Sequence, residues 1–346
     1  MRIGLAINYA GGFKDVAAEV AELERAGLDI VFVPEAYSFD AVSALGYLAA
    51  STERVQLASG ILQLYTRTPT LTAMTAAGLD YVSDGRFTLG LGASGPQVIE
   101  GFHGVPYDAP IARTREVIDI CRQVWRREYL QFEGKHYTIP LPADQGTGLA
   151  KSLKLVNHPV RERIPILVAA LGPKNVELAA EVAEGWQPLF YLPEKAPDVW
   201  GKALATGRAK RDPALGELDV YANPMLAIGE NVEPLREFAK PQLALYIGGM
   251  GAKGKNFYHA LATNYGYGPE ADRIQELYLS GDKDGAAKVV PDELVRDISL
   301  IGTPQFVKER LAAFRESGVT TLNVVPLAST RSERIKLIEI LRELAA

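Results

Sequence analysis

Short runs of apolar residues, each followed by a helical stretch, recur along the chain and restrict it to a parallel α/β architecture. Residues 3–8, 30–33, 55–62 and 86–91 read as strands. Apolar residues at helical spacing predict helices over 14–26, 40–50 and 69–82 between them. The strand runs are continuously apolar rather than alternating, so both of their faces must be buried. Parallel sheets covered by helices have this pattern. Strands joined by helices form crossover units, which place the strands parallel.

The rhythm continues with a helix over 112–125, strands over 164–169 and 185–189 flanking a helix over 174–183, and strands over 218–228 and 320–325. Local signals agree with it. Gly27 stops the first helix, Pro34 closes the second strand, and Pro69 and Pro304 stand at first helical positions. Thr303 reads as an N-cap, and Thr330 with Glu333 reads as a capping box. Two stretches interrupt the rhythm. Residues 128–163 are polar and proline-rich, with a hairpin-like piece over 130–138. Residues 230–300 hold helices and glycine turns. Eight strand–helix units predict an α/β fold, a (β/α)8 barrel spanning 1–346 as one domain, with insertions after strands 4 and 7. In such a barrel the active site lies on the loops that follow the strands.

Charge and cysteine usage exclude several functions. The chain has 37 basic and 42 acidic residues, a net charge of −5, and no Lys/Arg-rich block. It lacks the basic face that nucleic acid requires. Cys121 is the only cysteine, so neither an internal disulfide nor a cysteine metal cluster can form. It follows Val117, Ile118 and Ile120 in a helical pattern, as a core side chain would. The apolar N-terminal run reaches Asn8 too soon for a secretory signal. No run approaches the roughly 18–20 apolar residues that span a bilayer. The expectation is a soluble, cytoplasmic protein without a membrane partner.

Two motif matches are incomplete. Gly90 to Gly95 fits the dinucleotide pattern G-x-G-x-x-G, but Pro96 follows and no acid stands at the end of a next strand about 20 positions on. Gly248 to Lys255 resembles a phosphate loop but lacks its G-K-[ST] ending, and reads as a turn or a ligand-contacting lid. The histidines His103, His136, His158 and His259 show no metal-ligand spacing, so no metal site is expected.

The strand-end loops carry more information. Glu35 follows the second strand, where a carboxylate is badly solvated unless it has a partner or a task. Ser59 to Pro69 follows the third strand and Gly92 to Gln97 the fourth; small residues there let a flat ring approach the backbone. Leu171-Gly172-Pro173-Lys174-Asn175 opens a helix after the fifth strand. Outward N–H groups with a glycine and a lysine suit an anion, most naturally a phosphate.

Taken together, Ala58-Ser-Gly-Ile61 with Arg67 and Pro69, Asp84 to Gln97, Gly172-Pro-Lys-Asn175 and Ala183-Glu-Gly-Trp186 resemble the luciferase-like monooxygenase superfamily. Within it they resemble the branch that uses the deazaflavin coenzyme F420, including methylenetetrahydromethanopterin reductase-like proteins. The resemblance implies a barrel with insertions, a homodimer, and a cis peptide between Gly60 and Ile61 against the deazaflavin ring. It implies cofactor contacts from Glu35, Gly60, Ile61, Gln63, Ala93, Ser94 and Gln97, and phosphate contacts from Leu171, Gly172, Lys174 and Asn175.

The chain departs from that pattern where relatives place a histidine after the strand-2 acid and a glutamate after strand 4. It has Ala36 and Gly95-Pro96 instead, which argues against a sugar-phosphate dehydrogenase. Glu35 and Tyr37 are then the nearby candidates for proton movement. The implied activity is hydride transfer between the deazaflavin C5 and a small organic substrate. An FMN-dependent monooxygenase and a non-catalytic barrel that binds a flavin or deazaflavin are the alternatives. Tyr246, Phe257 and Tyr258 read equally as pocket wall or helix core.

Overall fold

The computed structural model describes residues 1–7 and 12–346. The predicted end of the first strand at Asn8 and its turn at Gly11 lie outside the described residues. Among the described residues, eight parallel strands close a barrel: β1 (Arg2–Ala6), β2 (Ile30–Val33), β3 (Gln56–Ser59), β4 (Phe87–Gly92), β5 (Ile166–Ala169), β6 (Gly185–Gln187), β7 (Asp219–Ala222) and β8 (Thr321–Pro326). Pairing of Arg2 with Thr321 and of Gly4 with Asn323 seals β8 to β1. Outer helices include α1 (Phe13–Arg25), α2 (Ala41–Ser51), α3 (Pro69–Val82), α4 (Pro110–Trp125) and α5 (Pro173–Val182). The (β/α)8 expectation holds, with the interruptions falling between β4 and β5 and between β7 and β8.

The helix signals act as read. Asp40 caps α2 through Ser43 N, and Thr68 caps α3 with Pro69 in its first turn. Thr330 and Glu333 form a complete capping box. The hairpin in the first insertion pairs Phe132 with Ile139. It is held from outside by Glu116, whose carboxylate accepts the N–H groups of Lys135, His136 and Tyr137.

Two predicted strands are each divided. The run 55–62 breaks after Ser59 and resumes at Leu62–Gln63. Ala58 pairs with Thr88, but Leu62 pairs with Leu91, so β3 carries one extra residue. This is a bulge. Ser59 Oγ bridges the gap: it accepts the Gly90 N–H at 2.8 Å and donates to the Gly90 carbonyl at 2.9 Å. The run 218–228 breaks at Asn223-Pro224, where proline has no N–H for the ladder. Its second half, Met225–Ile228, turns to pair with Leu300–Gly302, a short strand inside the stretch read as helices and turns.

Apolar side chains form two separate cores. A large one lies between the sheet and the helices and continues into the second insertion through Leu243, Ile247, Leu261 and Ile274. A small one fills the barrel with Ile30, Phe32, Ala58, Leu167 and Tyr221. Below it, Arg2 plugs the N-terminal end by bonding Asp219 at 2.7 Å, the Tyr221 hydroxyl at 2.9 Å and Thr321 Oγ1 at 3.1 Å. Glu24 ties α1 to the same end by accepting the N–H groups of Glu53, Arg54 and Val55. Burial alone would raise its pKa, but these donors outweigh burial and hold the carboxyl below its ordinary value. These bonds commit Arg2 and Glu24 to holding the N-terminal end together, and the active site of such a barrel lies at the opposite mouth.

Candidate active site

At the C-terminal mouth, the bulge sets the first wall. The Gly60–Ile61 peptide is cis. Ile61 leans over the glycines of β4: a Cβ on Gly92 would lie 2.9 Å from its Cδ1. A Cβ on Gly90 would lie 1.8 Å from the Ser59 carbonyl oxygen, so this close approach admits glycine alone. Leu62 packs into the outer core beside Leu91. Gln63, one residue on and paired with Gly92, therefore faces the barrel. It is 2% exposed, and neither Oε1 nor Nε2 has a partner. A buried amide of this kind costs free energy unless something bonds it.

Three more carboxamides repeat the theme. Gln187 ends β6, Asn223 follows β7 and Asn323 lies in β8, each with a buried, unpartnered side-chain oxygen. They alternate in register with residues of the outer core, so they line the barrel's upper interior. Sequence reasoning missed these three, although carboxamides near the ends of predicted strands were the available signal.

Glu35 has a partner. Its Oε1 accepts from Arg67 Nη1 at 2.6 Å, and its Oε2 accepts from Arg67 Nη2 at 2.9 Å and from Ala41 N at 2.9 Å. The side chains are 8% and 14% exposed. This bidentate, charge-assisted pair joins the loop after β2 to the loop before α3. Tyr37 is 70% exposed and stands 6.2 Å from Phe102, ring centre to ring centre.

Beyond β4, Ala93 is half-buried, while Ser94 and Gln97 are exposed. Ser94 has φ of 59° and its carbonyl accepts from the Tyr107 hydroxyl at 3.4 Å. Tyr107 lies tilted against Tyr65, ring centres 5.2 Å apart, and the Tyr65 hydroxyl donates to the Asp108 carbonyl. Burial raises the Tyr65 pKa, so the phenol stays protonated.

After β5, Gly172 caps α5 with extended backbone and without a side-chain cap, and the first turn holds no acid. The helix end therefore presents its dipole unneutralised. Asn175 Oδ1 is buried without a partner, and the Leu171 carbonyl accepts from Trp200. Lys174 differs from the expectation of a free phosphate-binding charge. Its side chain is 80% exposed and its ammonium pairs with Glu177 at 3.1 Å.

The second insertion bends over this mouth. Phe257 lies beside Gly172, within 3.6 Å of where a Cβ would stand. Tyr246 and Tyr258 meet Phe190 edge-on at 5.3 and 6.0 Å. All three insertion aromatics thus lie beside the mouth loops, while Tyr258 also packs against the outer core. Phe102 and Phe190 join them and were not singled out in the sequence.

Residues 1–321 match the luciferase-like monooxygenase family model. A Mycobacterium tuberculosis protein that carries the name of a coenzyme F420-dependent oxidoreductase is 43% identical over 332 residues, covering 94% of each chain. The 5,10-methylenetetrahydromethanopterin reductase of Archaeoglobus fulgidus is 27% identical, over 91% of this chain and 90% of its own. The structure of the coenzyme F420-dependent tetrahydromethanopterin reductase from Methanopyrus kandleri superposes with a TM-score of 0.80 at 22% identity. That superposition covers 98% of this chain and 96% of the other.

Proposed function

This chain belongs to the luciferase-like monooxygenase family, and from that premise we propose that it is a coenzyme F420-dependent oxidoreductase. The observation that carries the cofactor is the buried, unpartnered amide of Gln63 beside the glycine floor of β4. A flat heterocycle with both donor and acceptor edges fits such a slot, and Gln187, Asn223 and Asn323 extend the polar lining. The uncapped end of α5 at Gly172 and Asn175 would hold a phosphate through backbone N–H groups. Bound there, F420 would supply a hydride at the deazaflavin C5.

The protein's own part is placement. Ile61 would back the ring, and the bonds across Ser59 and Gly90 keep that wall rigid. Ala93, Ser94 and Gln97 would border the ring's edge. Glu35 has both oxygens engaged, so its task is to hold the two loops rather than to move a proton. Tyr37 is then the candidate for proton exchange with the substrate.

The test is a fluorescence titration with F420 and, separately, with FMN. Trp186 donates to the Ala170 carbonyl beside the α5 turn and should report binding there. F420 is expected to quench at micromolar concentrations and FMN not to. Gln63→Leu should weaken F420 by about tenfold, the size of one buried hydrogen bond. Lys174→Ala should change it by less than about threefold, because an exposed, paired lysine contributes little. Tight FMN binding without F420 binding would overturn this reading in favour of the oxygenating branch.

We propose a homodimer formed through the surface of α2 and α3. α2 carries no charged residue, and the one acid of α3, Asp80, is buried against Arg161. Tyr47, Leu71, Met74, Tyr81 and Val82 are exposed along these two helices. An uncharged apolar face of this extent suits a second copy of itself. Light scattering should give twice the 37.6 kDa chain mass, and Met74→Arg should shift it toward one chain. A single-chain mass for the unaltered protein would remove the proposal. No helix among the described residues is long and apolar enough to cross a membrane.

A further inference from the structure

We propose that the site takes an uncharged substrate with a flat, apolar body, held under an aromatic roof of Phe190, Tyr246 and Tyr258, with a tyrosine hydroxyl bonding its oxygen. This rests on the hydride-transfer reading above and names the substrate class for the same site.

The roof is built from distant parts of the chain. Phe190 follows β6, while Tyr246 and Tyr258 come from the second insertion. Their rings meet edge-on, Tyr246 to Tyr258 at 4.7 Å and Phe190 to Tyr246 at 5.3 Å. Tyr246 also lies within electrostatic range of Tyr37 in the loop after β2. β2 and β6 stand on opposite sides of the closed barrel, so the aromatic cluster crosses above its axis. Tyr37 continues it to Phe102 in the segment after β4.

Phe190 is held there against its backbone preference. Its φ is 54°, in the left-handed region that bulky side chains avoid. The Tyr265 hydroxyl donates to the Phe190 carbonyl at 2.9 Å and accepts from Leu192 N at 3.3 Å. Tyr265 is itself buried against Trp200. A strained residue fixed by a dedicated buried hydroxyl, with its ring over the mouth, is a functional placement.

The roof's polar atoms are uncommitted. Neither the Tyr246 nor the Tyr258 hydroxyl bonds a side chain or backbone group among the described residues. Burial raises both pKa values, so both remain donors. The roof rings carry no charge of their own, and of the cations in the loops beneath them Arg67 is paired with Glu35 and Lys174 with Glu177. An anionic group held between these rings would give up water for aromatic surface that supplies no counter-charge.

The experiment uses protein saturated with F420 and measures probe binding by calorimetry. Benzaldehyde is expected to bind at least tenfold more tightly than 4-formylbenzoate. Phe190→Gly, which accepts the left-handed backbone without strain, should weaken benzaldehyde at least tenfold. Phe190→Leu, which retains an apolar bulk, should lose less. Tyr246→Phe and Tyr258→Phe identify the hydroxyl, one of them losing about fivefold. If F420 binds but 4-formylbenzoate binds as well as benzaldehyde, the substrate class is wrong and the cofactor reading stands. Unchanged benzaldehyde binding in Phe190→Gly would likewise overturn the substrate class alone. Failure of F420 to bind at all overturns both.

Discussion

Replacing Arg67 by alanine should destabilise the protein by about 3–5 kcal/mol, the range for removing one partner of a buried ion pair. Glu35, 8% exposed, would keep a single N–H donor, from Ala41, and lose its counter-charge. The loops after β2 and before α3 would separate with it. Urea unfolding of Arg67→Ala beside wild type measures the loss. The double substitution Glu35→Leu with Arg67→Leu should recover most of it, because no charge is then left buried. It should not restore F420 affinity, since the polar tie between the two site loops is gone. A loss under about 1 kcal/mol in Arg67→Ala would show that solvent reaches Glu35 freely and that the pair is not an anchor.

The second large effect is expected at Gly90. An added methyl would stand 1.8 Å from the Ser59 carbonyl oxygen and 3.0 Å from its carbon. Both are backbone atoms, so no side chain can turn aside. The strands must part at the point where Ser59 Oγ makes two bonds to Gly90. Gly90→Ala should therefore cost about 3 kcal/mol, at the upper end of usual overpacking, and weaken F420 binding through displacement of Ile61. Gly201→Ala is the matched control: nothing lies within 4 Å of its added methyl. Placed in the helix Ala196–Arg208, it should stabilise by about 0.5–1 kcal/mol. Equal thermal midpoints for the two variants would contradict the packing argument.

The barrel was legible because its determinants are local. Continuous apolar runs, proline at first helical turns, and the Thr330–Glu333 box each act over a few residues, and the strands predicted over 30–33, 86–91, 164–169, 185–189 and 320–325 lie within two residues of their predicted limits. The division at Asn223-Pro224 was not read from the run 218–228, although proline, which cannot continue an inner ladder, carried the signal. The strand Leu300–Gly302 gave no such signal, because three residues carry no periodicity. Glu35 was singled out as needing a partner, but its partner stands 32 positions away and only the pairing of β2 with β3 brings Arg67 to it. Lys174 shows the opposite limit. Charge is visible in a sequence, whereas its outward direction and its bond to Glu177 are not. The roof was half visible: Tyr246 and Tyr258 were named, but Phe190 enters through a left-handed backbone that a phenylalanine does not announce.

The extra residue in β3 acts as a change of phase. Up to Ser59 the strand keeps one alternation, with Ala58 inward and Leu57 outward. Continued unbroken, that alternation would turn Leu62 into the barrel and Gln63 into the apolar layer beneath the helices. The offset exchanges them, so one strand serves the apolar interior below and a polar chamber above. Neither half needs a different composition; only the count between them differs. A family built this way can convert a sealed hydrocarbon plug into a receptor for a heterocycle by lengthening a single strand by one position. The same counting makes the site intolerant of any one-residue gain or loss between Ser59 and Leu62, however conservative the residues themselves.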